Sequence, residues 1–177
     1  MSPERLVFID EAGSTVAMTR EFARAPRGER VPVEPVPRNR GTVTTILGAL
    51  TTRGLEVTMA IEGGTTGDVY VAFLEQVLGP KLRPGAVVIM DNAGAHKDPR
   101  VKIILERHGA TGLFLPPYSP DLNPIECAWS KLKTYLRTAK ARTVDALIKA
   151  IGIGMRKVTK DDAAGWFRLC GYTGQPT

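Results

Sequence analysis

The order of strand-like and helix-like segments is the feature that most limits the fold of this chain. Three strand-like runs come first, RLVFID, GTVTTILGAL and LEVTMAIE, and STVAMTREF is predicted to pair with the first of them. The connection Thr51-Thr52-Arg53-Gly54 predicts a hairpin between the second and third runs. Further along, AVVIMD and GLFL are predicted as short buried strands that alternate with helical patterns. This order predicts an α/β fold, with a mixed five-stranded sheet flanked by helices.

The length and composition fit a single domain that spans residues 1–177. Helices are predicted at 68–78, from Asp98-Pro99 onward, and at 124–138, 143–156 and 160–169. The last two belong to a C-terminal helical part at 140–177. The stretch APRGERVPVEPVPRNR makes residues 20–40 a basic, Pro-rich loop or arm. No apolar run is long enough for a membrane span, no leader is recognised, and the two cysteines are too isolated for a disulfide framework or a zinc site.

The positive charge of the chain is concentrated in one segment. The net charge is +6, yet the segment from Lys131 to Lys160 holds nine Lys or Arg residues and a single acid, Asp145. A basic segment on a nearly neutral body favours a polyanionic partner, with nucleic acid as the leading candidate. A solvated helical face without a partner is the alternative reading of the same charges.

The proline-rich stretch LPPYSPDLNPIECAWSKLK leads directly into an amphipathic helix. Asn123 is predicted as its N-cap and Pro124 as its first residue, so that Glu126 is the third. Glu126 could therefore close a capping box with Asn123. However, Glu126 shares its helix face with Lys133 and Arg137, opposite the apolar face, and this arrangement suits a metal site beside a phosphate backbone.

Two aspartates stand where strand-like runs end. Asp10 ends LVFI and Asp91 ends AVVIM, and ligands of open α/β sheets collect beyond the carboxyl ends of strands. Each aspartate by itself could equally be a turn residue or a helix cap. Together with Glu126, however, they form the oxygen-ligand set that two Mg²⁺ ions would require for phosphoryl transfer.

Three stretches resemble the catalytic motifs of one family. FIDEAG at 8–13, IMDNAGAHK at 89–97 and the proline-rich stretch are similar to the motifs of DDE transposases, in the bacterial insertion-sequence branch related to the mariner group. Asp91 and Glu126 are separated by 34 residues, a spacing typical of that group. The ending DDAAGWFRLCGY also resembles the family's C-terminus, so that the resemblance covers nearly the whole chain.

The resemblance implies an RNase H-like fold in which Asp10, Asp91 and Glu126 are catalytic and bind two Mg²⁺ ions, with Mn²⁺ as a substitute. Asp10 would bridge the ions, while the other two carboxylates would each favour one of them. The implied reaction is hydrolysis of DNA at transposon ends, followed by attack of the freed 3′-hydroxyl on target DNA, usually at TA dinucleotides.

Other residues of the motifs receive supporting roles in this interpretation. Asn92 and Asn123 are expected to support the carboxylates, and Tyr118 and Ser119 to shape the loop that delivers Glu126. His96 is expected to contact either a phosphate or a metal-binding carboxylate, although a role in stabilising its loop is an alternative. The DNA contacts are predicted at His96, Lys97, Lys131, Lys133 and Arg137.

The resemblance also implies partners. DNA is expected at transposon ends and targets, with a homodimer assembled on it, and the location would be the bacterial cytoplasm at the nucleoid. Only nine residues precede Asp10, so no N-terminal helix-turn-helix reader is expected, and a separately encoded subunit could supply one.

Three alternatives to an active transposase remain open at this point. The chain could be a domesticated DNA-binding module without activity, or a structure-selective RNase H-like nuclease. A nucleotide-binding domain has less support, because EGGTTGD lacks the ending of a phosphate-binding loop.

Overall fold

The computed structural model describes residues 1–31 and 35–173, and within them the chain forms one mixed sheet with helices on both faces. The strands are β1 Leu6–Ser14, β2 Thr44–Thr51, β3 Gly54–Glu62, β4 Val87–Met90 and β5 Thr111–Phe114. The helices are α1 Gly67–Ala72, which continues as a π-helical segment Phe73–Leu78, α2 Pro99–Arg107, α3 Ile125–Ala139, α4 Val144–Met155 and α5 Lys160–Leu169. Residues 32–34 of the predicted arm and 174–177 of the predicted C-terminal part lie outside the described residues.

The five strands follow the order β3-β2-β1-β4-β5. The first three strands of the chain pair antiparallel, whereas β1, β4 and β5 run parallel to one another. The predicted mixed five-stranded sheet and the predicted hairpin between β2 and β3 are therefore confirmed. Since parallel strands end at the same edge of a sheet, this order brings the chain segments after β1, β4 and β5 together.

The core has two layers, because apolar side chains along the central strands point alternately to the two faces of the sheet. Phe8 of β1 packs with Trp129 of α3 and Phe167 of α5 on one face of the sheet. Ile9, the next residue of β1, packs on the other face with Tyr70 of α1 and other apolar residues. Successive side chains of a strand point to opposite faces, so α3, α4 and α5 cover one face while α1 and α2 cover the other.

Two predictions about strands are wrong. STVAMTREF does not pair with the first strand, because β1 itself continues to Ser14 and its neighbours are β2 and β4. The carbonyl oxygens of Val16 and Met18 accept hydrogen bonds from Arg142 instead of joining the sheet. In addition, β5 is not buried, because it forms the edge of the sheet and its four residues are exposed.

The segment between β1 and β2 contains neither helix nor strand in its described residues. Its beginning is held against the helical layer, because Val16 and Met18 pack against that core and Glu21 lies 2.5 Å from Arg137 of α3. No helix of the described part of the chain has the length and apolar character needed to cross a membrane.

Candidate active site

Three carboxylates from three different elements line one cleft of about 400 Å³. Asp10 lies in β1, Asp91 directly follows β4, and Glu126 lies in the first turn of α3. The remaining wall of the cleft comes mainly from the loop between β5 and α3, which contributes Leu115, Pro116, Pro117, Tyr118, Ser119 and Pro120. The fold thus brings together the three residues that the sequence predicted as catalytic.

Asp10 carries the most perturbed carboxyl group of the cleft. Its Oδ1 accepts a hydrogen bond from the backbone N–H of Glu11 at 2.8 Å, and its Oδ2 accepts one from Asn123 Nδ2 at 3.2 Å. The pKa of Asp10 is raised to about 7, and burial is the largest cause. The hydrogen bond from Glu11 opposes this rise, whereas the negative charges of Glu126, Glu11 and Asp91 contribute to it. Negative charge is therefore crowded around a half-buried carboxyl group.

A buried histidine joins Asp91 to a fourth carboxylate. His96 Nδ1 lies 2.6 Å from Asp91 Oδ1, and His96 Nε2 lies 3.2 Å from Glu11 Oε2. The imidazole is 1% exposed, and its ring stacks on Tyr70 with 4.2 Å between ring centroids. Burial by itself would lower the pKa of His96, but the hydrogen bond to Glu11 and the charges of Glu11 and Asp91 raise it. His96 thus holds Asp91 in one orientation and connects it to the far face of the sheet.

Two asparagines connect the loops that carry the carboxylates. Asn92 Nδ2 donates a hydrogen bond of 2.6 Å to the carbonyl oxygen of Leu115, where the proline-rich loop begins. Asn123, at the other end of that loop, is buried and donates to Asp10. Asn123 therefore contacts a carboxylate directly, whereas Asn92 holds the start of the proline-rich loop.

The predicted capping of α3 by Asn123 is wrong. The helix begins at Ile125, Pro124 occupies the N-cap position, and the helix start has no side-chain cap. The side-chain amide of Asn123 donates a hydrogen bond to Asp10, and its backbone N–H donates one to the carbonyl oxygen of Pro120. No capping box forms. The carboxylate of Glu126 makes no hydrogen bond or ion pair within the described residues, and it lines the cleft.

A close contact fixes α3 at the level of Asp10. Gly48 of β2 stands opposite Asp10 in the antiparallel pair. A Cβ atom at Gly48 would lie 2.6 Å from Cη2 of Trp129, so the ring of Trp129 occupies the space that a side chain would need. Trp129 follows Glu126 by three residues on α3, and this contact therefore sets how far Glu126 stands from β1.

Three of the predicted DNA contacts are engaged within the protein. His96 is buried too completely for its ring to touch a phosphate in this conformation, so the phosphate contact predicted for it does not fit, whereas the predicted contact to a carboxylate does. Lys131 Nζ lies 2.5 Å from Asp162 Oδ2, where that carboxylate caps α5. Arg137 pairs with Glu21, as described above.

The other two predicted contacts are available. Lys133 forms no ion pair with the described residues, and it lies on the same face of α3 as Glu126. Lys97 is exposed, but it borders a groove between α2 and β5 rather than the carboxylate cleft. Of the five predicted DNA contacts, Lys133 therefore has the position that best suits binding of a phosphate beside the carboxylate cleft.

The composition of the cleft suits divalent cations. Among residues 1–31 and 35–173, no Lys or Arg pairs with Asp10, Asp91 or Glu126, and the one ion pair that these three carboxylates form is that of Asp91 with His96. No three His, Cys, Asp or Glu side chains of these residues stand close enough to surround a single ion. Two ions would not need such a group, because Mg²⁺ in proteins usually takes one or two carboxylates and fills its remaining positions with water and substrate oxygens.

The sequence did not reveal the roles of Glu11 and Tyr70. Glu11 follows Asp10 in the motif FIDEAG, so its position in that motif was the available signal. Tyr70 is one apolar residue among many in its helix, and its contact with His96 bridges distant parts of the chain. The role predicted for Tyr118 in shaping its loop finds no packing contact, because the side chain is fully exposed.

One protein family matches most of the chain. The family described as DDE superfamily endonuclease matches residues 5–148 of the chain. The uncharacterized protein y4pE/y4sA of Sinorhizobium fredii is 33% identical in an alignment that covers 41% of this chain and 63% of that protein.

Solved structures show the same fold. The Mos1 strand transfer complex matches with a TM-score of 0.72 and 19% identity, over 95% of this chain and 52% of that chain. The mariner Mos1 paired end complex with Mg matches with a TM-score of 0.67 and 20% identity, over 95% and 52%. The predicted RNase H-like fold is therefore confirmed, and the chain spans about half the length of these Mos1 chains.

Proposed function

Because the chain belongs to the DDE superfamily endonucleases, we propose that it is the catalytic domain of a bacterial insertion-sequence transposase. It cleaves DNA at transposon ends and transfers the freed strand to target DNA. The observation that carries this proposal is the cleft in which Asp10, Asp91 and Glu126 meet, without an ion pair to any Lys or Arg of the described residues.

Asp10, Asp91 and Glu126 are the residues that would hold two Mg²⁺ ions, with Mn²⁺ as a substitute. The raised pKa of Asp10, about 7, supports this assignment, because crowded carboxylates gain more from a bound cation than isolated ones. The Mos1 paired end complex with Mg supports the choice of metal. Such ions would supply activation of the attacking oxygen and stabilisation of the leaving oxygen in phosphoryl transfer.

Residues of the chain hold the three carboxylates in fixed orientations. His96 and Glu11 hold the Asp91 carboxylate, and Asn123 holds that of Asp10. Packing of α3 on the sheet presents Glu126 to the same cleft, so the three carboxylates are arranged before a substrate arrives. No side chain needs to form a covalent bond to DNA in this scheme.

The proposed partners follow from the same assignment. They are transposon ends and target DNA with TA dinucleotides as the target sites, and two copies of the chain assemble on the DNA. A helix-turn-helix reader would be supplied separately or by another part of the protein, and the location would be the bacterial nucleoid. The resemblance to Mos1 strand transfer and paired end complexes supports DNA as the partner.

Nicking of supercoiled plasmid DNA tests the proposal. The wild-type chain should nick the plasmid with Mg²⁺ or Mn²⁺ and not with EDTA, whereas Asp91→Ala should be inactive. Asp121→Ala is the matched control, because Asp121 is an exposed carboxylate of the same proline-rich region that does not line the cleft. Equal nicking by wild type and Asp91→Ala would contradict the proposal, and nicking without joined-strand products would favour a nuclease over a transposase.

A further inference from the structure

Tyr118 combines two unusual features at the edge of the carboxylate cleft. Its side chain is fully exposed, although tyrosine is a large and partly apolar residue. Its φ angle is +57°, in the left-handed region that residues other than glycine seldom adopt. Such conformations persist where the surrounding structure enforces them, and they are concentrated at functional sites.

The positive φ angle of Tyr118, unlike that of Lys140, is not explained by the end of a helix. Among the described residues, Tyr118 and Lys140 are the two non-glycine residues with positive φ. Lys140 is the C-cap of α3, where the left-handed conformation commonly ends a helix. Tyr118 ends no helix and forms no hydrogen bond, ion pair or ring contact with the described residues. The protein itself therefore supplies no reason for the orientation of this ring.

The loop around Tyr118 is built to be rigid. Pro116, Pro117 and Pro120 restrict the backbone on both sides of the tyrosine, because each proline fixes its own φ. The loop is fastened at its start by the hydrogen bond from Asn92 to Leu115 and at its end by that from Asn123 to Asp10. An aromatic ring on a rigid support loses little conformational entropy when it binds a flat partner.

We propose that Tyr118 is a stacking platform for one nucleobase of the DNA strand that enters the cleft. This inference rests on the proposed function, since it specifies how the same cleft binds its substrate. The wall that carries Tyr118 consists mainly of proline and other apolar surface, whereas the opposite side carries the carboxylates. A nucleotide has the same two-sided character, with an apolar base face and a charged phosphate that metal ions would bring to the carboxylates.

A cycle of base removal and ring removal tests the proposal. The probe is a fluorescently labelled forked duplex with a single-stranded tail, in which one abasic nucleotide is moved along the tail. Affinity of the whole chain is measured by anisotropy with Ca²⁺ in place of Mg²⁺, so that a divalent cation with oxygen ligands is present. Gel electrophoresis of the probe after each titration verifies that it stays uncleaved. At one tail position, loss of the base should weaken wild-type binding by roughly 5- to 150-fold, which corresponds to the usual value of one base–aromatic stack.

Two variants complete the cycle. Tyr118→Asn removes the ring while keeping a residue that tolerates positive φ, and Tyr118→Phe keeps the ring without the hydroxyl group. Tyr118→Asn should bind the intact fork as weakly as wild type binds the sensitive abasic fork, and it should not respond to that abasic position. Tyr118→Phe should behave like wild type.

The outcomes separate this inference from the proposed reaction. The inference is wrong if Tyr118→Asn binds the intact fork as tightly as wild type, or if it stays sensitive to the same abasic position. A ring–base coupling in a chain that fails to nick plasmid DNA would support the stacking site and contradict the proposed reaction alone. Nicking activity without any coupling would contradict the stacking site alone.

Discussion

Asp10 shows how burial and neighbouring charges change the chemistry of a single carboxyl group. Its pKa is raised from 3.8 to about 7, so the folded protein binds this proton more tightly than the unfolded chain does. Stability must then fall as the pH rises from about 4 to about 7, and the loss is complete above the folded pKa. At about 1.4 kcal/mol for each pKa unit, the loss is at most about 4 kcal/mol.

Asp10→Asn is therefore expected to stabilise the metal-free protein, and more so at high pH. The amide cannot ionise, so the variant should gain up to about 4 kcal/mol over wild type at pH 8 and clearly less at pH 5. Urea denaturation in EDTA at the two pH values measures this difference. A gain of the same size at both values would show that ionisation of Asp10 is not its cause. Added Mg²⁺ should raise the melting temperature of wild type more than that of the variant.

Glu126 allows a second prediction at the residue scale, because its carboxylate caps nothing. Glu126→Gln should leave the melting temperature in EDTA nearly unchanged, since no hydrogen bond of the described residues is lost. The same substitution should abolish Mg²⁺-dependent plasmid nicking and the stabilisation by Mg²⁺, because a neutral amide is a poor ligand for a hard cation. Full nicking by this variant would refute the proposed metal role of Glu126.

At the scale of elements, the position of α3 depends on the missing side chain of Gly48. A methyl group at Gly48 would stand 2.6 Å from the ring of Trp129, so Gly48→Ala must push α3 away from β2. Overpacking of this kind typically costs about 1–3 kcal/mol. Nicking should fall further than the unfolded fraction explains, because Glu126 moves with the helix.

Gly64→Ala is the matched control, because nothing lies within 4 Å of a Cβ atom at Gly64. Thermal melting and nicking are measured on both variants, and only Gly48→Ala should be affected in both assays. Gly48→Ala combined with Trp129→Phe should recover part of the activity, since the smaller ring frees space. Unchanged nicking in Gly48→Ala would show that α3 tolerates the displacement.

The sequence predicted the elements well where the signal is local. The helix predicted at 143–156 is α4 Val144–Met155, and the helix predicted at 160–169 is α5 with the same bounds. Caps and apolar spacing fix such helices within the segment itself. The exposure of β5 could not be predicted from its own residues, because its position at the edge of the sheet depends on the order of all five strands.

In the candidate site, too, local features could be predicted from the sequence, whereas contacts between distant residues could not. The carboxylates could be predicted, because motif spacing marks all three and the end of β4 marks Asp91. The prediction that Asp10 ends its strand is wrong, since β1 continues to Ser14. The side chain of Asn123 was assigned to the helix start, whereas it binds Asp10, 113 positions away in the chain. Likewise, Glu11 meets His96 across 85 positions. Competition between a local partner and a distant one is decided by tertiary structure, which local patterns do not contain.

At the scale of the whole molecule, internal ion pairs reduce the basic surface that is free for DNA. Lys131 and Arg137 are paired with Asp162 and Glu21, while Lys133 has no ion pair within the described residues. Binding should be weak and largely independent of sequence, since phosphate contacts carry little sequence information.

Lys133→Ala is expected to flatten the plot of log affinity against log salt by about 0.9, the value for one phosphate contact. Arg137→Ala should have a smaller effect, because its guanidinium already has a carboxylate partner. Lys102→Ala, on the other side of the sheet, is the control and should leave the slope unchanged. Filter binding over a salt series, on transposon-end and random DNA, measures the slopes. A strong preference for the ends would place sequence recognition within this chain.

The neighbouring acids of β1 limit how the gene can change in length. Asp10 faces the layer of α3, and Glu11 faces His96 in the opposite layer. Since side chains of a strand alternate between faces, one inserted or deleted codon early in β1 would exchange the two acids and also turn the apolar residues outward. The described residues between β1 and β2 pair with no strand, so a change of length there shifts no side chain to the other face of the sheet. Insertions and deletions in related genes should therefore accumulate in that segment and be absent from β1, and a survey of such genes can count them.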